Sequence, residues 1–306
     1  MPEHSLLFTP IERRASAEAD HQLVDSSSSY WRDAWMRLRA NRAAMTGFFL
    51  LVILLLFAVI GPWLTHYTYY ETHLHLKNQP PSWKFWFGTD ELGRDLFTRL
   101  WWGARISLFV GIAASLIDLV IGVFYGAVAG FLGGKIEELM MRFADILYAI
   151  PYLLLVILLM VVIGSGLTTI IIALTITGWI GMARIVRGQM LQIKELDFVK
   201  AAHAMGAGRR RILIQHLIPN AMGPIIVTVT LTVPTAIFAE AFLSFLGLGV
   251  QAPIASWGTM ASDGLSALRY YPWRLFFPAT FISITMLSFN LLGDGLRDAF
   301  DPRLRK

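Results

Sequence analysis

The sequence predicts an all-α polytopic membrane protein of about six transmembrane helices, and three observations carry that prediction. Of its 306 residues, 56% are hydrophobic and only 15% are charged, against roughly 25% charged in soluble domains. The mean hydropathy is +0.57. Apolar runs of the length that crosses a bilayer, about 17 to 25 residues, recur along the chain between charged segments.

Residues 1–29 mix Glu3, Glu12, Glu18, Asp20 and Asp25 with Ser26 to Ser29 and show no apolar periodicity, which predicts a mobile cytoplasmic tail. Over 30–45, Trp31, Trp35 and Leu38 interleave with Arg32, Arg37, Arg39 and Arg42. This is the pattern of an amphipathic helix lying in the headgroup layer, in contact with membrane lipid, with a solvated helix start as the alternative. The segment 46–105 reads as the first span, 46–64, and an external loop. That span begins too far along the chain, and lacks the small-residue cleavage pattern, for a signal peptide.

A core over 106–294 holds five further spans, at 106–129, 139–163, 167–183, 221–245 and 275–292, and 295–306 is the C-terminus. The short turn Gly164 to Gly166 predicts a hairpin between the third and fourth spans. With the N-terminus inside, 19 of the 26 Lys and Arg residues fall on the cytoplasmic side. The asymmetry predicts that both termini are cytoplasmic.

Several chemistries are excluded by residue type. There is no cysteine, so thiolate metal sites, disulfides and cysteine nucleophiles are absent. The net charge of +5 sits between apolar runs rather than on one surface, which argues for topology and against nucleic acid. No phosphate-binding G-x-x-x-x-G-K-[ST] loop occurs, so any ATPase must be another chain. His73 and His75 alternate in the outer loop and read as a solvated pair, and no metal site is expected. Ser165 has no histidine within the spans to activate it.

Within the spans, Gly122, Gly126 and Gly130 put three side-chain-free positions on one face for close helix packing. Asp118 in the same span is expected to find an interhelical partner or to line a pathway. Arg142 and Asp145, three apart on one helical face, are expected to neutralise each other, again with a pathway role as the alternative. Pro151 is expected to bend the third span. Pro224 and Pro234 do so in the fifth, where Glu240 reads as a pathway acid or a packing group.

The cytoplasmic loop 185–220 is too polar to cross a bilayer. With Asp197 as N-cap, a short helix through Met205 puts Phe198, Ala201, Ala202 and Met205 on one face, and Gly206 ends it. Such a helix fits a groove on another protein, or rests on the lipid surface.

At this loop the chain resembles the permease subunits of binding-protein-dependent ATP-binding-cassette importers. Their E-A-A signature, followed by Gly and a later Pro, is matched by Lys200-Ala201-Ala202, Gly206 and Pro219, between spans four and five. Further segments are similar to the "C" permeases of oligopeptide and dipeptide importers. These are Asn41 to Ala44, Phe87 to Asp90, Gly93 to Asp95, Gly103 to Leu108, His216 to Asn220, Leu243 to Gly249, Gly293 to Asp298 and Asp301-Pro302. The resemblance spans about residues 31 to 306.

The resemblance implies the permease fold of such importers, with Asp197, Phe198, Lys200, Ala201, Ala202, Met205 and Gly206 forming a coupling helix that docks on an ATPase. It implies a second homologous permease, two ATPase subunits carrying ATP and magnesium, an external peptide-binding protein and a place in the bacterial inner membrane. This chain would hold no cofactor and would not itself be an enzyme. Nickel and glutathione importers have related permeases. Lys200 stands where the family commonly has Glu, and it cannot complete a capping box with Asp197. A secondary transporter is disfavoured because no internal repeat is visible, and a membrane enzyme because Asp118 and Glu240 alone make no catalytic set.

Overall fold

A computed structural model describes residues 30–301; the tail expected over 1–29 and the last residues, 302–306, lie outside the described part. Five helices are long and apolar enough to span a membrane, and a pair of helices bent by 76° makes a sixth span when the two are counted as one. The chain is a multi-pass helical membrane protein.

Helix α1, Tyr30–Ala40, packs Ala34 and Leu38 onto the C-terminal end of the chain near Ala299 and Phe300, leaving Trp31 and Trp35 half exposed. Asn41 breaks the helix and caps α2, Arg42–Ile60, by accepting the Ala44 N–H at 3.2 Å. The far end of α2 is closed by Arg105, whose guanidinium donates to the carbonyls of Ala58 at 2.6 Å and Val59 at 2.7 Å. A cation at carbonyls that have lost their intrahelical donors is doubly favourable there.

Helix α3 runs over Leu96–Leu132, beginning ten residues before the start expected at 106. Its Asp95 N-cap accepts from the Thr98 N–H at 2.9 Å and hydroxyl at 2.7 Å, so polar residues and Arg99 belong to the helix rather than the loop. The Gly122, Gly126 and Gly130 stripe lies on α6, Leu167–Ile193, against the backbones of Trp179, Ala183 and Arg187. Helices α4, Gly134–Tyr148, and α5, Tyr152–Ile163, are the bent pair, with Pro151 at the break. Gly164, at φ +95°, supplies a left-handed position in the turn from α5 to α6.

Helix α6 continues to Ile193, ten residues past the boundary expected at 183, because Arg184 and Arg187 find acids on α4. Next come α7, Asp197–Ala204, and α8, Arg209–Phe245, the latter with a π-helical stretch over Ile212–Leu217 just before Pro219. The region expected as loop up to 220 is therefore largely helical. Helix α9, Trp257–Leu265, lies within the expected outer connector and starts on a capping box between Ser256 and Thr259. Helix α10, Trp273–Phe300, completes the bundle against α2 and α8, and extends past the boundary expected at 294.

Candidate functional site

Among the described residues, three places gather polar chemistry: the turn around α7, a buried network between α3, α8 and α9, and an ion cluster at the N-terminal end of α3.

Helix α7 is two-sided. Val199 and Ala202 are buried, and Val199 joins a cluster with Ile193, Ile212 and Leu217 that fixes the helix to the ends of α6 and α8. Phe198 is 42% exposed, with its ring 6.4 Å from that of His216, and Met205 is 83% exposed. Ala201 is exposed as well. The face expected to hold Phe198, Ala201, Ala202 and Met205 together is thus split, since Ala202 turns inward with Val199.

Asp197 also departs from expectation. It is the first helical residue, Leu196 holds the cap position, and no side chain caps the helix. Lys200 instead lies 3.5 Å from Glu195, an exposed pair of small energetic weight. The end of α7 follows from glycine chemistry. Gly206 adopts φ +86°, its N–H donates to His203 at 3.0 Å, and the Ala207 N–H reaches Ala202 at 3.0 Å. These two bonds form a Schellman motif.

The acids of the spans find different surroundings. Arg142 and Asp145 do not pair, because each has a better-placed partner. Arg142 donates to Glu138 on the same helix at 3.0 Å, and Asp145 accepts from Arg184 of α6 at 2.7 Å. Asp118 lies against Gly178 of α6, where a Cβ would collide with its carboxylate. Its Oδ1 is buried and has no hydrogen-bond partner, so the expected interhelical partner is absent among the described residues.

Glu240 is fully buried and anchored from both sides. Ser107 of α3 donates to Oε2 at 2.8 Å, and Ser244 of α8 donates to Oε1 at 2.7 Å. Each serine is itself supplied with a donor, Ser107 by the Trp257 N–H at 3.2 Å and Ser244 by the Ser256 hydroxyl at 3.3 Å. The indole of Trp257, also fully buried, donates to the Leu100 carbonyl at 3.0 Å. Three helices are therefore pinned by one relay of hydrogen bonds.

The ion cluster outside was not read from the sequence, although Asp90, Arg94 and Arg99 at intervals of four and five were visible. Asp90 accepts from the Arg94 Nε at 2.6 Å and lies 3.5 Å from the Arg99 Nε. Arg274 at the start of α10 donates to Asn78 at 3.2 Å and Glu91 at 3.0 Å, tying the outer loop to the bundle. Burial raises the carboxyl of Asp263 on α9 above its ordinary value, although Arg99 pulls it down. Burial likewise raises the carboxyl of the Asp95 cap, against the bonds from Thr98 that lower it.

A helical core of this topology, with a short helix between its fourth and fifth spans, has relatives. Residues 122–306 match the family described as "Binding-protein-dependent transport system inner membrane component", and 29–81 match the "N-terminal TM domain of oligopeptide transport permease C". The chain belongs to this family.

Among its relatives, the oligopeptide transport system permease protein OppC of Bacillus subtilis (strain 168) is 60% identical over 300 residues, covering 98% of each chain. The dipeptide transport system permease protein DppC of the same organism is 60% identical over 297 residues, covering 97% of this chain and 92% of its own. A solved structure described as an inward-facing conformation of the MetNI methionine ABC transporter shares the fold. It has a TM-score of 0.55 at 20% identity, covering 66% of this chain and 96% of its own.

Proposed function

We propose that this permease is the membrane-spanning subunit of an ATP-driven importer of oligopeptides or dipeptides. The observation that carries the reading is the end-to-end similarity to oligopeptide and dipeptide permease proteins at 60% identity. It works with a second homologous permease, two ATPase subunits holding ATP and magnesium, and an external peptide-binding protein, in the bacterial inner membrane with both termini cytoplasmic. The chain itself hydrolyses nothing.

The cytoplasmic turn supports the coupling part of this reading. Helix α7 presents Phe198, Ala201 and Met205 outward while the buried Val199 holds it to α6 and α8. An exposed aromatic beside small residues is what a groove on an ATPase would receive. Because α7 is seated on α8, closure of the ATPases would tilt a helix that reaches the outer end of the bundle. The pathway would then alternate between inward- and outward-facing states, driven by contacts that differ between them. Asp118 and Glu240 are polar groups of this moving bundle, not catalysts.

Affinity purification of the tagged chain from membranes in mild detergent tests the proposal, with ATP hydrolysis measured with and without peptide and binding protein. Recovery of a second permease and two ATPase chains, with hydrolysis stimulated by peptide, is the expected result. Stimulation by nickel alone would keep the machine and change its cargo. Recovery of the chain by itself, still moving solute without ATP, would overturn the assignment.

A further inference from the structure

At the outer end of the bundle lies a cavity of about 260 Å³ whose wall includes Arg94, Arg99, Ser244, Gly249, Gln251 and Asp263. Both arginines are buried, at 7% and 3% exposure, yet their donors are only partly used. Arg94 bonds through Nε to Asp90. Arg99 gives Nη1 to the Tyr69 carbonyl at 2.8 Å and turns Nε toward the same Asp90 oxygen. Among the described residues, neither Nη atom of Arg94 nor Nη2 of Arg99 makes a hydrogen bond. These nitrogens do not belong to the sealed side-chain atoms that lack a partner, so they remain open to the cavity.

One carboxylate, Asp90, serves two guanidinium groups, while Glu91 is engaged by Arg274. Asp263 at the rim makes no direct ion pair with either arginine, although its charge acts on both. Planar guanidinium forks engage a carboxylate through two parallel bonds, and neither Arg94 nor Arg99 is closed in this way. The wall therefore offers open guanidinium donors, and the group that matches their fork is a carboxylate.

We propose that this cavity receives the C-terminal carboxylate of the transported peptide on Arg94 and Arg99, while Asp263 at the rim turns away solutes that carry a second negative group. The inference rests on the peptide-importer reading and adds a recognition site to it. Such a site would hold the peptide after it leaves the binding protein and before it enters the bundle. Ser244 links the two, since it lines the cavity and also donates to Glu240.

The test uses the complete importer in lipid nanodiscs without its binding protein, measuring binding of the tripeptide Ala-Ala-Ala, its C-terminal amide and Ala-Glu-Ala. The wild type is expected to bind the free acid about tenfold more tightly than the amide, the scale of one charge-assisted bond. Arg94→Lys keeps the charge and an N–H for Asp90 but loses the fork, and should bring acid and amide to within about twofold. Asp263→Asn, whose carboxylate makes no hydrogen bond to be lost, should tighten Ala-Glu-Ala selectively.

Equal binding of acid and amide, no measurable binding, an acid-to-amide ratio unchanged in Arg94→Lys, or displacement by inorganic phosphate as readily as by peptide would each overturn the site. ATP-driven uptake by the same complex with its binding protein separates the two failures. Uptake of peptide with no carboxylate preference at the permease would sink the cavity assignment alone, whereas no peptide uptake would sink the importer reading.

Discussion

Replacing Ser107 with alanine is the sharpest test of the relay around Glu240. The substitution removes one oxygen and creates almost no void, so its cost arises from the partners it abandons. Glu240 Oε2 loses its donor and the Trp257 N–H loses its acceptor, both in a fully buried setting. Each orphaned buried group costs about 1–3 kcal/mol, which places Ser107→Ala at roughly 2–6 kcal/mol. In a Glu240→Leu background the same substitution strands only the Trp257 N–H and removes a hydroxyl already left without an acceptor. The two changes should therefore couple by about 1–3 kcal/mol. Reversible unfolding in mixed micelles, followed by tryptophan fluorescence on the four proteins of the cycle, measures both quantities. A loss below about 0.5 kcal/mol for Ser107→Ala, with no coupling, would refute the claim that this relay pins α3 to α8 and α9.

Other predictions concern the remaining sites. Phe198→Ala should weaken retention of the ATPase chains by about 2 kcal/mol or more, the scale of an interface hot spot, while Val199→Ala, which is buried, should lower stability; co-purification set beside thermal denaturation separates them. Asp95→Ala should cost about 1–2 kcal/mol as a lost helix cap, and Asp95→Asn much less. Because burial raises the Asp95 carboxyl above its ordinary value, the folded state holds its proton more tightly. That contribution is present below the ordinary carboxylate range and is lost as pH rises through the raised value, so stability of the wild type relative to Asp95→Asn should fall over that interval in a pH-dependent unfolding series. Gly126→Leu would drive a side chain into the Ala183 backbone; since a backbone cannot rotate aside, loss of the folded protein on detergent extraction is expected.

The number of spans was legible because lipid demands long apolar runs, and the bend at Pro151 because proline removes a backbone donor. The span boundaries were not legible. Arg99 and Arg105 made the start of α3 look like a loop, but one is buried beside Asp90 and the other closes the end of α2. Arg184 and Arg187 hid the continuation of α6 for the same reason, since their acids Asp145 and Glu137 lie some forty to fifty positions away in sequence. The Arg142–Asp145 pairing failed because helical spacing permits a contact without excluding a better one across the bundle. Helix α9 could have been found from the Ser256 and Thr259 spacing ahead of Trp257, which is a capping signal that hydropathy does not register.

What joins these local features is α8. It is continuous from Arg209 to Phe245, about 55 Å at 1.5 Å per residue, and carries the seat of α7 at one end and Glu240 and Ser244 at the other. A displacement of α7 reaches the outer network only to the extent that this rod stays stiff. Its soft places are identifiable: the π-helical stretch ahead of Pro219, and Pro224 and Pro234 inside the helix. Near Pro219 the Asn220 side chain donates to the His216 carbonyl at 2.6 Å. The Thr228 hydroxyl likewise donates to the Pro224 carbonyl at 2.7 Å. The inner end of the rod therefore holds the π-helical stretch and Pro224 at which it can bend, while its outer end, with Glu240 tied to two neighbouring elements through serines, is built to move only as a unit with α3 and α9.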